Sequence, residues 1–191
     1  AVSKLLMGYL TVTFVDYTGA IPYSEATKPN EFPNPNLDEG AELYKIVLAD
    51  IDQAIMDINS ATGGLSTDLF YGGNKENWIS FANSLKLRLL IQSRLASGEI
   101  GISDLNSEIN NLLNQNIIDD NSEDFVYAYS DVIEPESRHP YYRRAYVSSF
   151  SQYIGNYFMF MLKDSKNIRD PRLPYYLYRQ SDEDPFSGPP Y

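Results

Sequence analysis

Carboxylates, tyrosines and a single histidine are the chain's main stock of reactive side chains. His139 is the sole histidine and there is no cysteine. A Ser-His-Asp triad would have to use His139, and Ser137 is too close in sequence to be an obvious nucleophile. No Gly-x-Ser-x-Gly elbow occurs, and no glycine-rich phosphate loop. Without thiolates or a second imidazole, most zinc chemistry is excluded. Carboxylates are abundant at Asp119-Asp120, Glu123-Asp124 and Asp182-Glu183-Asp184. A glycosidase needs two such groups at a set separation in a cleft. Here they fall in loop-like runs, where solvation is the default. The last run lacks the spacing of a calcium loop. The expectation is a protein without catalysis, metal or cofactor.

The tyrosines suggest recognition instead. There are 16, of which 11 follow residue 125. Tyr141 and Tyr142 lie beside Arg138, Arg143 and Arg144. Tyrosine with arginine supplies flat apolar contact plus hydrogen bonds, the chemistry of binding surfaces. Arg138, Tyr141, Tyr142 and Arg143 are therefore the candidate ligand-binding residues. The alternative is that this loop packs against a further C-terminal part of the protein. Trp78, the one tryptophan, is either a sugar-stacking platform or a core anchor. Its place in the stripe Trp78–Phe81–Leu85 favours the core. Asn83, in the same stretch, fits a link from helix to loop. Lys86, Arg88 and Arg94 fit a solvated or ion-paired face.

These residues need a scaffold, and the apolar spacing supplies a helical one. Val2, Leu5, Leu6, Tyr9, Leu10 and Phe14 predict a helix over about residues 3–16, ended by Gly19 and Pro22. Pro29, Pro33 and Pro35 make residues 27–37 an extended loop. Asn36 or Asp38 is placed to cap the next helix, whose stripe is Leu43, Tyr44, Val47, Leu48, Ile51, Ile55 and Ile58. A loop over 61–73 precedes a helix from Trp78 to about Ala96. Ser103 or Asp104 caps another, with Leu105, Ile109, Leu112 and Leu113 on its apolar face. Residues 121–146 show no period and are read as a long irregular segment. Phe150, Ile154, Tyr157, Phe158, Met161 and Leu162 mark a last helix, and Asp170-Pro171 ends regular structure. The class is mainly α, in helix–loop–helix pairs. Two helix starts, near 40 and 77, lie about one tetratricopeptide length apart, without that repeat's consensus letters.

Composition narrows the partners. The net charge of −11 argues against nucleic acid and against a polybasic membrane patch. No apolar run approaches the ~20 residues that span a bilayer, and no signal peptide is visible.

Three blocks carry a family resemblance: Phe14-Val-Asp-Tyr-Thr-Gly-Ala-Ile-Pro-Tyr-Ser-Glu-Ala26, Asn74-Lys-Glu-Asn-Trp-Ile-Ser-Phe-Ala-Asn-Ser-Leu-Lys-Leu-Arg-Leu-Leu-Ile91, and Asp170-Pro-Arg-Leu-Pro174. In this order, around the Leu43–Ile58 helix, the chain resembles the SusD/RagB family. The resemblance implies a SusD-like fold of divergent tetratricopeptide pairs with long loops. It implies a surface lipoprotein of the bacterial outer membrane that binds oligosaccharide or peptide. Such a protein is the lid of a SusC-like TonB-dependent transporter, held by an N-terminal lipid anchor outside this chain. On this reading residues 1–191 belong to one SusD-like domain, incomplete at both ends. The family's ligand contacts match no positions here, so none is carried over. The competing class is a helical-repeat adaptor in an outer-membrane complex, without a small ligand.

Overall fold

The computed structural model describes residues 1–63, 67–142, 144, 155–163, 165 and 170–176. The chain divides into two compact units, Ala1–Ala128 and Tyr129–Tyr191. Regular structure is helical apart from one pair of two-residue strands among the described residues.

In the first unit, α1 (Val2–Thr18) and α2 (Gly40–Ser60) form the largest helix–helix contact. They run antiparallel: Lys4 reaches Asp50 while Tyr44, near the other end of α2, bonds Asp16. Gly8 permits the close approach, because a methyl group there would meet Val47 Cγ1 at 3.0 Å. Gly40 is tighter still. A side chain on it would collide with the Gly19 carbonyl oxygen and lie 2.8 Å from Val15. Gly19 itself ends α1 at φ 83°, the left-handed conformation that glycine adopts most readily.

The apolar face expected for α1 holds in part: Leu5 is buried and Val2, Leu6 and Tyr9 pack against the core, but Leu10 and Phe14 do not. The buried set is Leu5, Gly8, Thr11, Val12 and Val15, whereas Leu10 and Phe14 are exposed together with Met7 and Tyr17. Apolar residues surround α1, so periodicity did not select a face. The partner helix did, at the side where Gly8 lets it come close.

The 19–39 connection is held by acids. Strands β1 (Ala20–Ile21) and β2 (Asp38–Glu39) pair antiparallel. Asp38 does not cap α2 as expected. Its carboxylate accepts from Tyr23 N, Ser24 N and Ser24 Oγ at 2.8–2.9 Å. Asn36 does not cap either: its backbone and side-chain amides donate to Glu25. Glu39 is the N-cap and makes no side-chain capping bond. Backbone N–H groups of the loop took Asp38, and the Glu25 carboxylate took Asn36, the two side chains that spacing had assigned to the helix.

Helix α3 (Lys75–Gln92) opens on Asn74, which accepts from Glu76 N and Asn77 N. It stops at Gln92 rather than near Ala96, where Ser93 Oγ bonds back to the Leu89 carbonyl and short turns follow. Its stripe of Trp78, Phe81, Ala82, Leu85 and Leu89 packs into one core with α1 and α2. Asp16 ties all three helices, accepting from Tyr44 Oη at 2.5 Å and Gln92 Nε2 at 3.1 Å. Helix α4 (Leu105–Leu113) is capped by Asp104, as the sequence allowed. Leu112 is buried but Leu113 is exposed, since adjacent residues point about 100° apart on a helix.

The second unit has three short helices among its described residues: α5 (Pro140–Tyr142), α6 (Asn156–Lys163) and α7 (Leu173–Tyr176). Phe150 and Ile154, expected on the last helix, lie outside the described residues. Regular structure does not end at Asp170-Pro171. Asp170 accepts from Arg172 N, and the chain turns into α7, burying Leu173 against Leu162.

Candidate functional site

The candidate residues Arg138, Tyr141 and Tyr142 share one knot of chain, while Arg143 lies outside the described residues. Ser130 and Ser137 close its base. Ser130 N donates to Ser137 O at 3.0 Å, Ser137 N donates to Val132 O at 3.1 Å, and the two hydroxyls hydrogen-bond. This clasp returns the chain on itself, so that Tyr129 and His139 meet with ring centroids 4.6 Å apart. The chain then makes the single turn α5. Tyr142 N donates to His139 O, and Tyr141 N donates to His139 Nδ1 at 3.1 Å. The stretch read as loop thus contains two helical turns among its described residues, a 3-10 turn at Asn121–Glu123 and α5, which Pro140 can start because its missing N–H is not needed there.

Two aromatic groupings result. The His139 ring stacks on Tyr141 at 5.6 Å with an interplanar angle of 17°, and Tyr129 meets the same imidazole edge-on. Beside them, the Arg138 guanidinium carbon lies 5.9 Å from the centroid of the Tyr142 ring. Arg138 is bound to Glu136 through two parallel bonds of 2.7 Å, and this pairing holds the guanidinium above its ordinary pKa. Its side chain is only 12% exposed. Arg138 therefore positions Tyr142 rather than offering an open charge. The exposed surface is tyrosine: Tyr141 is 65% and Tyr142 48% exposed. Such faces suit ring stacking and hydroxyl hydrogen bonding. Tyr129 and His139 were not among the sequence candidates for binding. Only the serine clasp brings them in, and serine pairing has no sequence period.

Other candidates lie elsewhere. Trp78 is 3% exposed and belongs to the core. Its Nε1–H donates to Asp68 at 2.7 Å, and its ring meets Phe70, Tyr71, Phe81 and Phe125 edge-on. Burial pushes the Asp68 carboxyl up, but bonds from Phe70 N, Gly73 N, Trp78 Nε1 and Tyr71 N outweigh it, and the net shift is downward. Burial, with the charges of Asp124, Glu123 and Asp68, pushes Tyr71 up to about 12. Asn83 donates to the Asn116 carbonyl at 2.8 Å, a helix-to-loop link. Lys86 pairs with Asp52, Arg88 lies over the Tyr9 ring, and Arg94 bonds the Ile91 carbonyl. Asp120 accepts from Ser122 Oγ and Ser122 N, which holds it below the usual carboxylate range. Among the described residues, no group of three His, Cys, Asp or Glu side chains could hold a metal ion. Asp182, Glu183 and Asp184 lie outside them.

The family model for SusD-like proteins, described as starch-binding and associating with the outer membrane, matches residues 1–188. The chain belongs to that SusD-like family. Among solved structures, a SusD homologue from Bacteroides fragilis NCTC 9343 is 21% identical, with a TM-score of 0.64 over 94% of this chain and 38% of its own. A Bacteroides vulgatus ATCC 8482 protein, with a suggested outer-membrane place and nutrient-binding part, is 22% identical, with a TM-score of 0.61 over 74% of this chain and 32% of its own. A SusD homologue from Bacteroides ovatus ATCC 8483 is 23% identical, with a TM-score of 0.55 over 63% of this chain and 25% of its own. The fold is thus the SusD-like helical fold, and the chain spans between a quarter and two fifths of the length of these three structures. No curated protein matches the sequence.

Proposed function

We propose that the protein is a non-catalytic nutrient-binding subunit of the bacterial outer membrane. It takes an oligosaccharide or peptide at the cell surface and passes it to a SusC-like TonB-dependent transporter. A lipid anchor on an N-terminal region holds it to the membrane. One observation carries the reading. A member of a family described as starch-binding presents exposed tyrosine faces, fixed by a serine clasp and an Arg138–Glu136 pair. Fixed aromatic faces bind with little loss of side-chain entropy, which suits a weakly polar sugar face or a peptide backbone.

Tyr141→Ala with Tyr142→Ala tests it in the full-length protein. Calorimetry against a panel of maltooligosaccharides and peptides should show binding weakened by about 1–3 kcal/mol, the scale of one or two lost aromatic anchors. The helical circular dichroism should not change. Unchanged affinity, or a double variant that does not fold, overturns this site. The same preparation tests the partner, because a transporter should co-purify from outer membranes. Co-purification of a complex unrelated to transport would favour the adaptor reading. Glycan turnover abolished by one Asp or Glu substitution would favour a hydrolase.

A further inference from the structure

His139 directly precedes α5 and holds that turn twice over. Its carbonyl accepts from Tyr142 N at 2.9 Å, and its imidazole Nδ1 accepts from Tyr141 N at 3.1 Å. A backbone N–H can only donate, so Nδ1 carries no proton here, and the neutral ring has its proton on Nε2. The arrangement is that of a helix N-cap, where a side-chain acceptor takes the N–H of the second helical residue. The usual residues for that task are Ser, Thr, Asp and Asn, and none of them changes charge between pH 5 and 8, as histidine does. His139 is exposed, so protons from the medium reach it.

Tyr141 rests on this one side chain through both its amide and its ring, which stacks on the imidazole. Protonation puts an N–H on both ring nitrogens. Nδ1 would then meet the Tyr141 N–H as a second donor, so the bond is lost and the imidazole turns from the amide. The titratable groups that meet the ring are Tyr129, ahead of the serine clasp, and Tyr141, in α5. The charged residues elsewhere on the knot are Asp131, Glu134, Glu136, Arg138 and Arg144, with Glu136 and Arg138 bound to each other. Attraction of an imidazolium to tyrosine faces or carboxylates moves the pH of the change, but it cannot restore an acceptor at Nδ1.

We propose that His139 is a positioning residue of the tyrosine surface and a proton switch on it: neutral, it holds Tyr141 in the binding pose, and protonated, it releases Tyr141. Affinity then falls as the medium acidifies, because a freed side chain must be ordered again on binding. Linkage gives the sign. Ligand prefers the state with Tyr141 fixed, and that state lacks the proton, so ligand and proton expel each other. The proposal rests on the nutrient-binding reading for what is bound, and adds the condition under which it is held.

The first test needs no ligand. In full-length protein labelled at tyrosine nitrogen, amide exchange is followed from pH 8 to pH 5, the range in which imidazole titrates. The Tyr142 amide, bonded to a carbonyl, is the internal reference. Protection of the Tyr141 amide relative to it should fall about three-fold or more, the scale of one neutral hydrogen bond. His139→Asn keeps an acceptor that does not titrate, and its ratio should be flat. His139→Ala has none, and its ratio should be flat and low. The second test is calorimetry with maltotriose and capped trialanine. A probe that Tyr141→Ala with Tyr142→Ala weakens should bind wild type about three-fold or more weakly at pH 5 than at pH 8, and His139→Asn should abolish that ratio. A wild-type Tyr141 protection that ignores pH, or a fall that persists in His139→Asn, overturns the proposal. If a variant does not fold, the wild-type profile decides alone. Tyrosine-dependent binding equal at both pH values would sink the switch and leave the nutrient-binding reading standing. Protection that follows His139, beside no response of either probe to the tyrosine change, would do the reverse.

Discussion

Among the described residues of the first unit, Asp68 is the side chain that accepts the most hydrogen bonds. One carboxylate accepts from Phe70 N, Tyr71 N, Gly73 N and Trp78 Nε1, joining the 61–74 loop to the core tryptophan. Asp68→Ala leaves the buried indole N–H and the loop amides unmatched. It should destabilise the protein by about 2–4 kcal/mol, measured by chemical denaturation at pH 7. The pH dependence has a definite sign. The folded pKa of Asp68 lies below its unfolded value, so its stabilisation is complete above the ordinary carboxylate pKa. It is lost as pH falls through the lowered value. The gap between wild type and Asp68→Ala should therefore shrink from pH 7 toward pH 2, and a constant gap would exclude the carboxylate as its cause. Trp78, the residue at the other end of the bond, was legible in the sequence as core from its stripe. Asp68 was not, because a lone aspartate in a loop has no pattern until the loop closes around it.

Helix contacts depend on two glycines whose importance spacing does not reveal. Gly40 begins α2 directly against the Gly19 carbonyl and Val15, with no room for a methyl group. Gly8 faces one methyl of Val47 at 3.0 Å and no backbone atom of α2 that near. Gly40→Ala should cost about 1–3 kcal/mol by forcing backbone apart, whereas Gly8→Ala gains helix propensity that offsets part of its crowding. Melting temperatures should rank wild type above or near Gly8→Ala and well above Gly40→Ala. A Gly40→Ala protein as stable as wild type would contradict the packing described. The blocks that carried the family resemblance serve the same scaffold. Asp16, Gly19 and Glu25 in the first fix helices and loop, Asn74 and Asn83 in the second cap and link α3, and Asp170 in the third starts the turn that buries Leu173.

On the scale of the whole chain, the outer face of α1 stands out. Met7, Leu10, Phe14 and Tyr17 recur at three- and four-residue steps and are 51–85% exposed. The relatives of this fold are longer, and the chain spans 38% or less of the three described above. Expressed alone, this stretch should bind a dye for exposed apolar surface. Leu10→Gln with Phe14→Ser should reduce that signal, while changing stability by no more than about 0.5 kcal/mol, as exposed substitutions do. Undiminished dye binding would place the apolar surface elsewhere. Among the described residues no helix is long and apolar enough to cross a membrane.

The sequence by itself determined the helical class, the positions of α1 to α4 within a few residues and the family; it favoured the core for Trp78 and narrowed the α4 cap to Ser103 or Asp104. These follow from local quantities: apolar period, capping chemistry and the order of three blocks. Tertiary structure decided which side of α1 is inside, because apolar residues on every side leave the choice to the partner helix. It turned Asn36 and Asp38 away from α2 and into the 19–39 loop, where the Glu25 carboxylate accepts from Asn36 and the Tyr23 and Ser24 amides donate to Asp38. It gathered Tyr129 and His139 beside Tyr141 through a clasp between Ser130 and Ser137. Each of these depends on contacts between distant residues, which a local period cannot encode.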